Sequence, residues 1–280
     1  MPTAKARIAP RSNLRSSIGS SRTLYDDNGG NLDIVVVWTK DAECRNSGLP
    51  IGCALTTQTH TAMQNRVNLA IEETNTAYQL SGVNTELLLV NSYRHETFDE
   101  KQFGFGGSLT ELRAGRIDGV HQDRETYGGD LVALLINDPQ YCGIAYVGPS
   151  KNYMFSVTAW NCATGYFSFG HEVGHNLGLM HDRGTTNACN GVNYNYGYRD
   201  PNARFRSILA YSCRSGQCDN NPANNRCTRV QRFSNPNIPY SGSPIGTATE
   251  DNARKINDVR VQVARYFPHK GSYAAPSPTS

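Results

Sequence analysis

Three of the seven histidines in this chain, His171, His175 and His181, fall within eleven residues, and their spacing constrains the fold more than any other feature. The segment reads Phe169-Gly-His171-Glu172-Val-Gly-His175-Asn-Leu-Gly178-Leu-Met-His181-Asp182. Residues four apart on a helix lie one turn apart on the same face. A helix over 167–180 would therefore present His171 and His175 together. Gly178 lets such a helix stop and the chain turn, which can bring His181 to the same point. Three imidazole nitrogens meeting at one zinc ion leave a fourth position open, the arrangement of a catalytic rather than a closed structural site. Glu172, next to the first of them, can reach a water there without ligating. From this composition, a chance match to the whole pattern is on the order of 10⁻⁵. The bland alternative, an amphipathic helix with hydrogen-bonded core histidines, leaves the clustering unexplained. The other four histidines (His60, His95, His121 and His269) are scattered and read as surface residues.

The rest of the chain must supply a scaffold. It has 280 residues, 38% hydrophobic and 18% charged, which fits a loop-rich globular protein rather than a coiled coil or an acidic disordered tail. A formal net charge of +3 makes no case for a nucleic-acid partner, and no apolar run approaches the length of a membrane span. Eight cysteines are present without a CxxC pair, so disulfides and an oxidising, extracellular compartment are expected rather than a ribbon-type zinc site. Their connectivity is open; pairing of neighbours (44–53, 142–162, 189–213, 218–227) is the simplest guess. Secretion is thus expected although residues 1–31 lack the apolar core of a signal peptide. That basic, Ser/Arg/Pro-rich stretch reads as a disordered tail or prosegment remnant, and 269–280 reads as a second tail.

Between the tails, strands are expected at 32–38, 86–93, 131–137, 141–147 and 155–160. Helices are expected at 59–80, at 109–123 with a Ser108/Glu111 capping box, at 167–180 and at 252–267. The alternation implies an α/β (α+β) fold, a mostly parallel twisted sheet with crossover helices. The strand at 141–147 would be antiparallel at an edge. Residues 183–250 are rich in Asn, Gly, Tyr, Pro and Cys and read as an irregular stretch that needs staples. One domain over 32–268 is expected, with an upper part to about 181 and a lower part from 182.

The HExxHxxGxxH pattern formed by His171, Glu172, His175, Gly178 and His181 resembles the metzincin zinc metalloendopeptidases, and Asp182 after the third histidine resembles their adamalysin/reprolysin-like branch. The resemblance implies a zincin-like fold and one catalytic Zn2+ held by His171, His175 and His181. It implies Glu172 as general base towards the zinc-activated water, Gly178 and Asp182 as structural residues, and protein or peptide substrates cut by a secreted monomer. Extended substrate would lie along the 141–147 edge, and the segment after Tyr211 would wall a pocket for the residue following the cleaved bond. Family members carry a methionine turn beneath the zinc. The matching stretch here is Ser207-Ile208-Leu209-Ala210-Tyr211, with Leu209 at the methionine position. Leu and Met are close in volume, so the site is expected to survive; a catalytically weakened or inactive metzincin-fold binding protein is the other reading. Tyr211 resembles a tyrosine that stabilises the oxyanion in some metzincins, or is a buried core tyrosine. Calcium is not indicated, since no EF-hand or nonapeptide loop is present.

Overall fold

The computed structural model describes residues 30–214, 218 and 226–270, so most of both expected tails lies outside the described residues. Its centre is β1 (Leu32–Trp38), in which all seven residues are buried. A strand hidden on both faces needs partners on both, and its alternation supplies them. Leu32, Ile34, Val36 and Trp38 enter one apolar cluster, whereas Val35 and Val37 enter another across the sheet. β3 (Leu131–Ile136) splits the same way, with Leu131, Ala133 and Leu135 on one side and Val132, Leu134 and Ile136 on the other.

The first cluster is roofed by α2 (Thr57–Leu80), whose Met63, Val67, Ala70, Ile71, Ala77 and Tyr78 are buried at helical spacing. Thr56 and Thr59 close a reciprocal cap at its start. α1 (Lys40–Asn46), a polar helix without a periodic apolar signal, precedes it. The second cluster is covered by α3 (Gly104–Arg113) and α4 (Val120–Tyr127). These two replace the single helix expected over 109–123. Gly115 and Gly119 adopt left-handed φ of 70° and 77°, which breaks the helix between them, and Ser108 lies buried inside α3 instead of capping it.

β2 (Leu87–Arg94), β1, β3, β5 (Phe155–Ala159) and β4 (Gly143–Ala145) form a five-stranded sheet in the order β2-β1-β3-β5-β4. All pairs are parallel except the last, in which β4 runs antiparallel at the edge as expected, though only three residues of the 141–147 stretch pair.

α5 (Ser168–Asn176) then crosses the first cluster through Phe169 and Val173, joined by Leu177 just past its end. The remainder is built of short pieces: β6 (Met180–Asp182) paired with β7 (Tyr196–Gly197), α6 (Arg183–Thr186), β8 (Phe205–Arg206) paired with β9 (Thr228–Arg229), and the hairpin of β10 (Asn235–Tyr240) and β11 (Ser243–Ile245). α7 (Asn252–Val263) ends four residues earlier than the apolar stripe suggested and packs Ala253, Ile256 and Val263 back into the first cluster.

All eight cysteines are paired. The pairs 44–53 and 142–162 are the expected neighbours, but the last four cross over as 189–218 and 213–227. The β8–β9 pairing explains the second of these: it brings the chain before Arg229 back beside Arg206, and Cys227 with it. His95, expected at the surface, is 7% exposed; its ring lies 3.0 Å from the Asp118 carbonyl and accepts from the Phe98 amide. His121 stacks on Phe155, and His269 pairs with Asp33 at 2.6 Å. No described helix is long and apolar enough to cross a membrane.

Candidate metal centre and cleft

α5 is shorter than the periodicity suggests. It ends at Asn176, and Gly178 at φ 88° turns the chain so that β6 can carry His181 back over the helix. The Nε2 atoms of His171, His175 and His181 then form a triangle with sides of 3.1, 3.1 and 2.9 Å. Two of the rings are oriented from behind: His171 Nδ1 lies 2.8 Å from the Ile208 carbonyl and His175 Nδ1 lies 2.8 Å from the Leu179 carbonyl. A carbonyl only accepts, so each Nδ1 must carry the proton and each Nε2 must present a lone pair. Lone pairs facing one another at 3 Å repel unless a cation lies among them. Tetrahedral zinc with N at about 2.0–2.1 Å separates its nitrogens by about 3.3 Å, so the donor set fits such an ion. Among the described residues this is the one group of three or more His, Cys, Asp or Glu whose ligand atoms converge. Burial pushes the imidazoles down, His181 to about 3, which keeps them in the neutral, ligating form.

Glu172 projects from the same helix towards β4 and is 5% exposed. A Cβ on Gly143 would stand 2.5 Å from its Cγ and Oε1, so the carboxylate occupies the space that glycine leaves free. Burial pushes the carboxyl up to about 8, opposed by the positive charge of Arg229. The far end of α5 is held by Asn176, whose amide donates to the Tyr146 and Phe155 carbonyls at 3.0 Å.

The stretch 207–211 lies below. Leu209 is fully buried, and its Cδ2 is 3.1 Å from where a Cβ on Gly174 would stand, so it presses on the helix between the two helical histidines. Ile208, next to it, supplies the carbonyl for His171. Tyr211 is 46% exposed with its ring 4.3 Å from that of His181, which rules out the core-tyrosine reading and puts it on the rim. Asp182 joins these parts: it accepts from the Tyr211 amide at 2.9 Å, caps α6 through the Thr185 amide at 2.8 Å, and pairs with Arg199 at 2.9 Å where both side chains are almost fully buried.

Beside His171 and Glu172 a cavity of about 270 Å³ opens, walled by the edge at Tyr141 and Gly143, by Tyr166 and by Tyr211. Two residues in it carried no sequence signal, Arg206 and Arg229, which face each other across the β8–β9 pair. Gly143 and Asn176 were equally silent, because what singles them out is a neighbour far away in sequence.

Residues 64–182 match the Metallo-peptidase family M12B Reprolysin-like. A Peptidyl-Asp metalloendopeptidase of Pseudomonas fragi is 30% identical over 196 residues, covering 69% of this chain and 99% of that protein. One of the same name from Xanthomonas campestris pv. campestris is 37% identical over 210 residues, covering 73% of this chain and 47% of that one. The chain spans about half the length of the Xanthomonas and Stenotrophomonas relatives it matches. A solved structure described as a chaperone–substrate complex overlays with a TM-score of 0.61 at 20% identity, covering 86% of this chain and 36% of that one, and shares the fold. The chain belongs to the metzincin zinc metallopeptidases of the reprolysin-like type.

Proposed function

We propose that this chain is a secreted zinc metalloendopeptidase that cleaves peptide bonds at aspartyl residues. The observation that carries the reading is the triangle of Nε2 atoms with Glu172 beside it, at a cleft bordered by a free sheet edge. The substrate residue is suggested by the name of the relatives, Peptidyl-Asp metalloendopeptidase. Secretion is supported by four disulfides. Residues 32–268 would be the catalytic unit, divided near 181.

His171, His175 and His181 would hold the zinc. When bound, that ion supplies Lewis-acid polarisation of the scissile carbonyl and acidification of a water. β4, the sheet edge, offers its main chain to an extended peptide and fixes its register. Glu172, packed against the bare backbone of Gly143, lies at that edge; with a cation at the histidines to offset the burial that pushes its carboxyl up, its carboxylate would take the proton of the attacking water and return it to the leaving amine. Tyr211, on the rim next to His181, can donate its hydroxyl proton in a hydrogen bond to the oxyanion. No nucleophilic side chain is required.

The test is the purified chain with its metal content measured, assayed on quenched peptides with and without an aspartate. One zinc per chain, cleavage abolished by a chelator and restored by zinc, and a Glu172→Ala variant that keeps zinc but loses activity by about 10²–10⁴ are expected. Zinc retention with undiminished cleavage in that variant would remove Glu172 from the reaction.

A further inference from the structure

The cavity next to Glu172 is lined by two arginines, Arg206 and Arg229. Arg206 and Arg229 are directly opposed in the parallel β8–β9 pair, two like charges where the ladder could hold any residues. Arg206 is 4% exposed and fully employed within the fold: it donates from Nη1 to the Ala210 carbonyl, from Nε to the Cys227 carbonyl at 3.3 Å and from Nη2 to the Tyr166 hydroxyl at 3.2 Å. Arg229 is held differently. Its guanidinium stacks 4.4 Å above the Tyr166 ring and Nη1 donates to the Tyr166 carbonyl at 3.0 Å, while Nε is buried without a hydrogen-bond partner. Burial and the charge of Arg206 push Arg229 down to about 10, and the carboxylate that acts on it is that of Glu172. Two guanidinium groups lining one cavity, with Glu172 the carboxylate nearby, favour an anion that enters it, through charge-assisted hydrogen bonds.

Resting on the reading above, we propose that Arg229 is the specificity-determining residue: it receives the side-chain carboxylate of the substrate residue that follows the scissile bond, and Arg206 is the strut that holds it in place. The cavity is at the right distance from the chemistry for this, since His171 and Glu172 form its wall. Arg206, bonded to the Ala210 carbonyl and the Cys227 carbonyl, ties the 207–211 turn to β9, and the Cys213–Cys227 disulfide closes the same connection covalently. The pocket is therefore anchored to the support beneath His171, so a side chain seated on Arg229 fixes the peptide relative to the metal triangle.

The test uses three quenched peptides that differ only in Asp, Asn or Ala after the cleaved bond, with zinc-loaded protein. Wild type should prefer Asp over Asn by about 10²–10⁴ in kcat/KM. Arg229→Gln should lose about 10²–10³ more on the Asp peptide than on the Ala peptide, so the Asp/Asn ratio collapses towards one; a loss common to all three peptides reports the charge Arg229 presents to Glu172 and divides out of that ratio. Arg229→Lys, which keeps the charge but not the fork, should give an intermediate ratio and covers the case in which the glutamine variant does not fold. An Asp/Asn ratio unmoved in either variant overturns the proposal, as does an equal fall on all three peptides, which would make Arg229 a support of Glu172. Wild type that cleaves but does not distinguish Asp from Asn overturns it and leaves the endopeptidase reading intact; wild type that cleaves nothing fails that reading and takes this one with it.

Discussion

Gly143→Ala isolates the placement of Glu172 from the metal and from the rest of the fold. Gly143 sits in β4 opposite Thr158, and its φ is not in the left-handed region, so the strand itself accepts alanine. The added Cβ would stand 2.5 Å from Glu172 Cγ and Oε1 and 2.6 Å from Cδ. Non-bonded carbons rest at about 3.5–4.0 Å, so the glutamate must retreat by about 1 Å or more. Glu172 is 5% exposed and has little room to do so without disturbing its neighbours. Overpacking of this kind costs about 1–3 kcal/mol of stability. Displacing a general base by about 1 Å costs on the order of 10²-fold in rate, and loss of its proton transfer up to about 10⁴. The variant should therefore bind one zinc per chain, unfold in one cooperative step at a slightly lower denaturant concentration, and show kcat/KM reduced by about 10²–10³ on the best peptide. Gly106→Ala is the control: nothing lies within 4 Å of its added Cβ in α3, so activity should be unchanged and stability equal or up to about 1 kcal/mol greater. If Gly143→Ala works within threefold of wild type, the carboxylate does not act from the position described and the reasoning fails.

Three further outcomes are expected. Leu209→Met should keep activity within a few-fold and cost less than about 1.5 kcal/mol, whereas Leu209→Ala should cost about 2–5 kcal/mol; denaturant titration of both checks whether the residue is a packing floor. Asp182→Ala strands Arg199, with which it forms a buried pair, so a loss of about 3–5 kcal/mol is expected in urea unfolding, and a loss below 1 kcal/mol would contradict the pairing. The chelated protein should lose stability as pH falls from about 6.5: His171, His175 and His181 are held neutral in the folded state and take up protons once unfolded, while Glu172, pushed up, works in the opposite direction by a single proton. Urea midpoints that do not move between about pH 6.5 and pH 5 would refute that balance.

What the sequence disclosed and withheld follows from range. β1 is legible at its full extent because six of its seven positions are apolar, three of them consecutive valines, a run that reads as a buried strand. The histidines are legible because helix geometry and one glycine suffice to bring them together. α1 is not, since its buried residues are Ala42, Glu43 and Cys44, and Glu43 is there to accept from Trp38 Nε1 at 2.8 Å and from Thr59 Oγ1 at 2.6 Å, contacts no periodicity encodes. The single helix read over 109–123 failed because its two glycines weigh little in a hydrophobic pattern yet decide the backbone. The arginines of the pocket are invisible for a stronger reason: they meet only after β8 and β9 pair across the cysteine-rich segment, and that same pairing determines which cysteines join.

Leucine beneath the metal triangle has a chemical corollary. A thioether in that position can be oxidised to a sulfoxide, which would put a polar, larger group under the helix that carries His171 and His175. Leu209 has no such chemistry open to it. Under peroxide the packing of Leu209 against the helix that carries His171 and His175 therefore stays apolar.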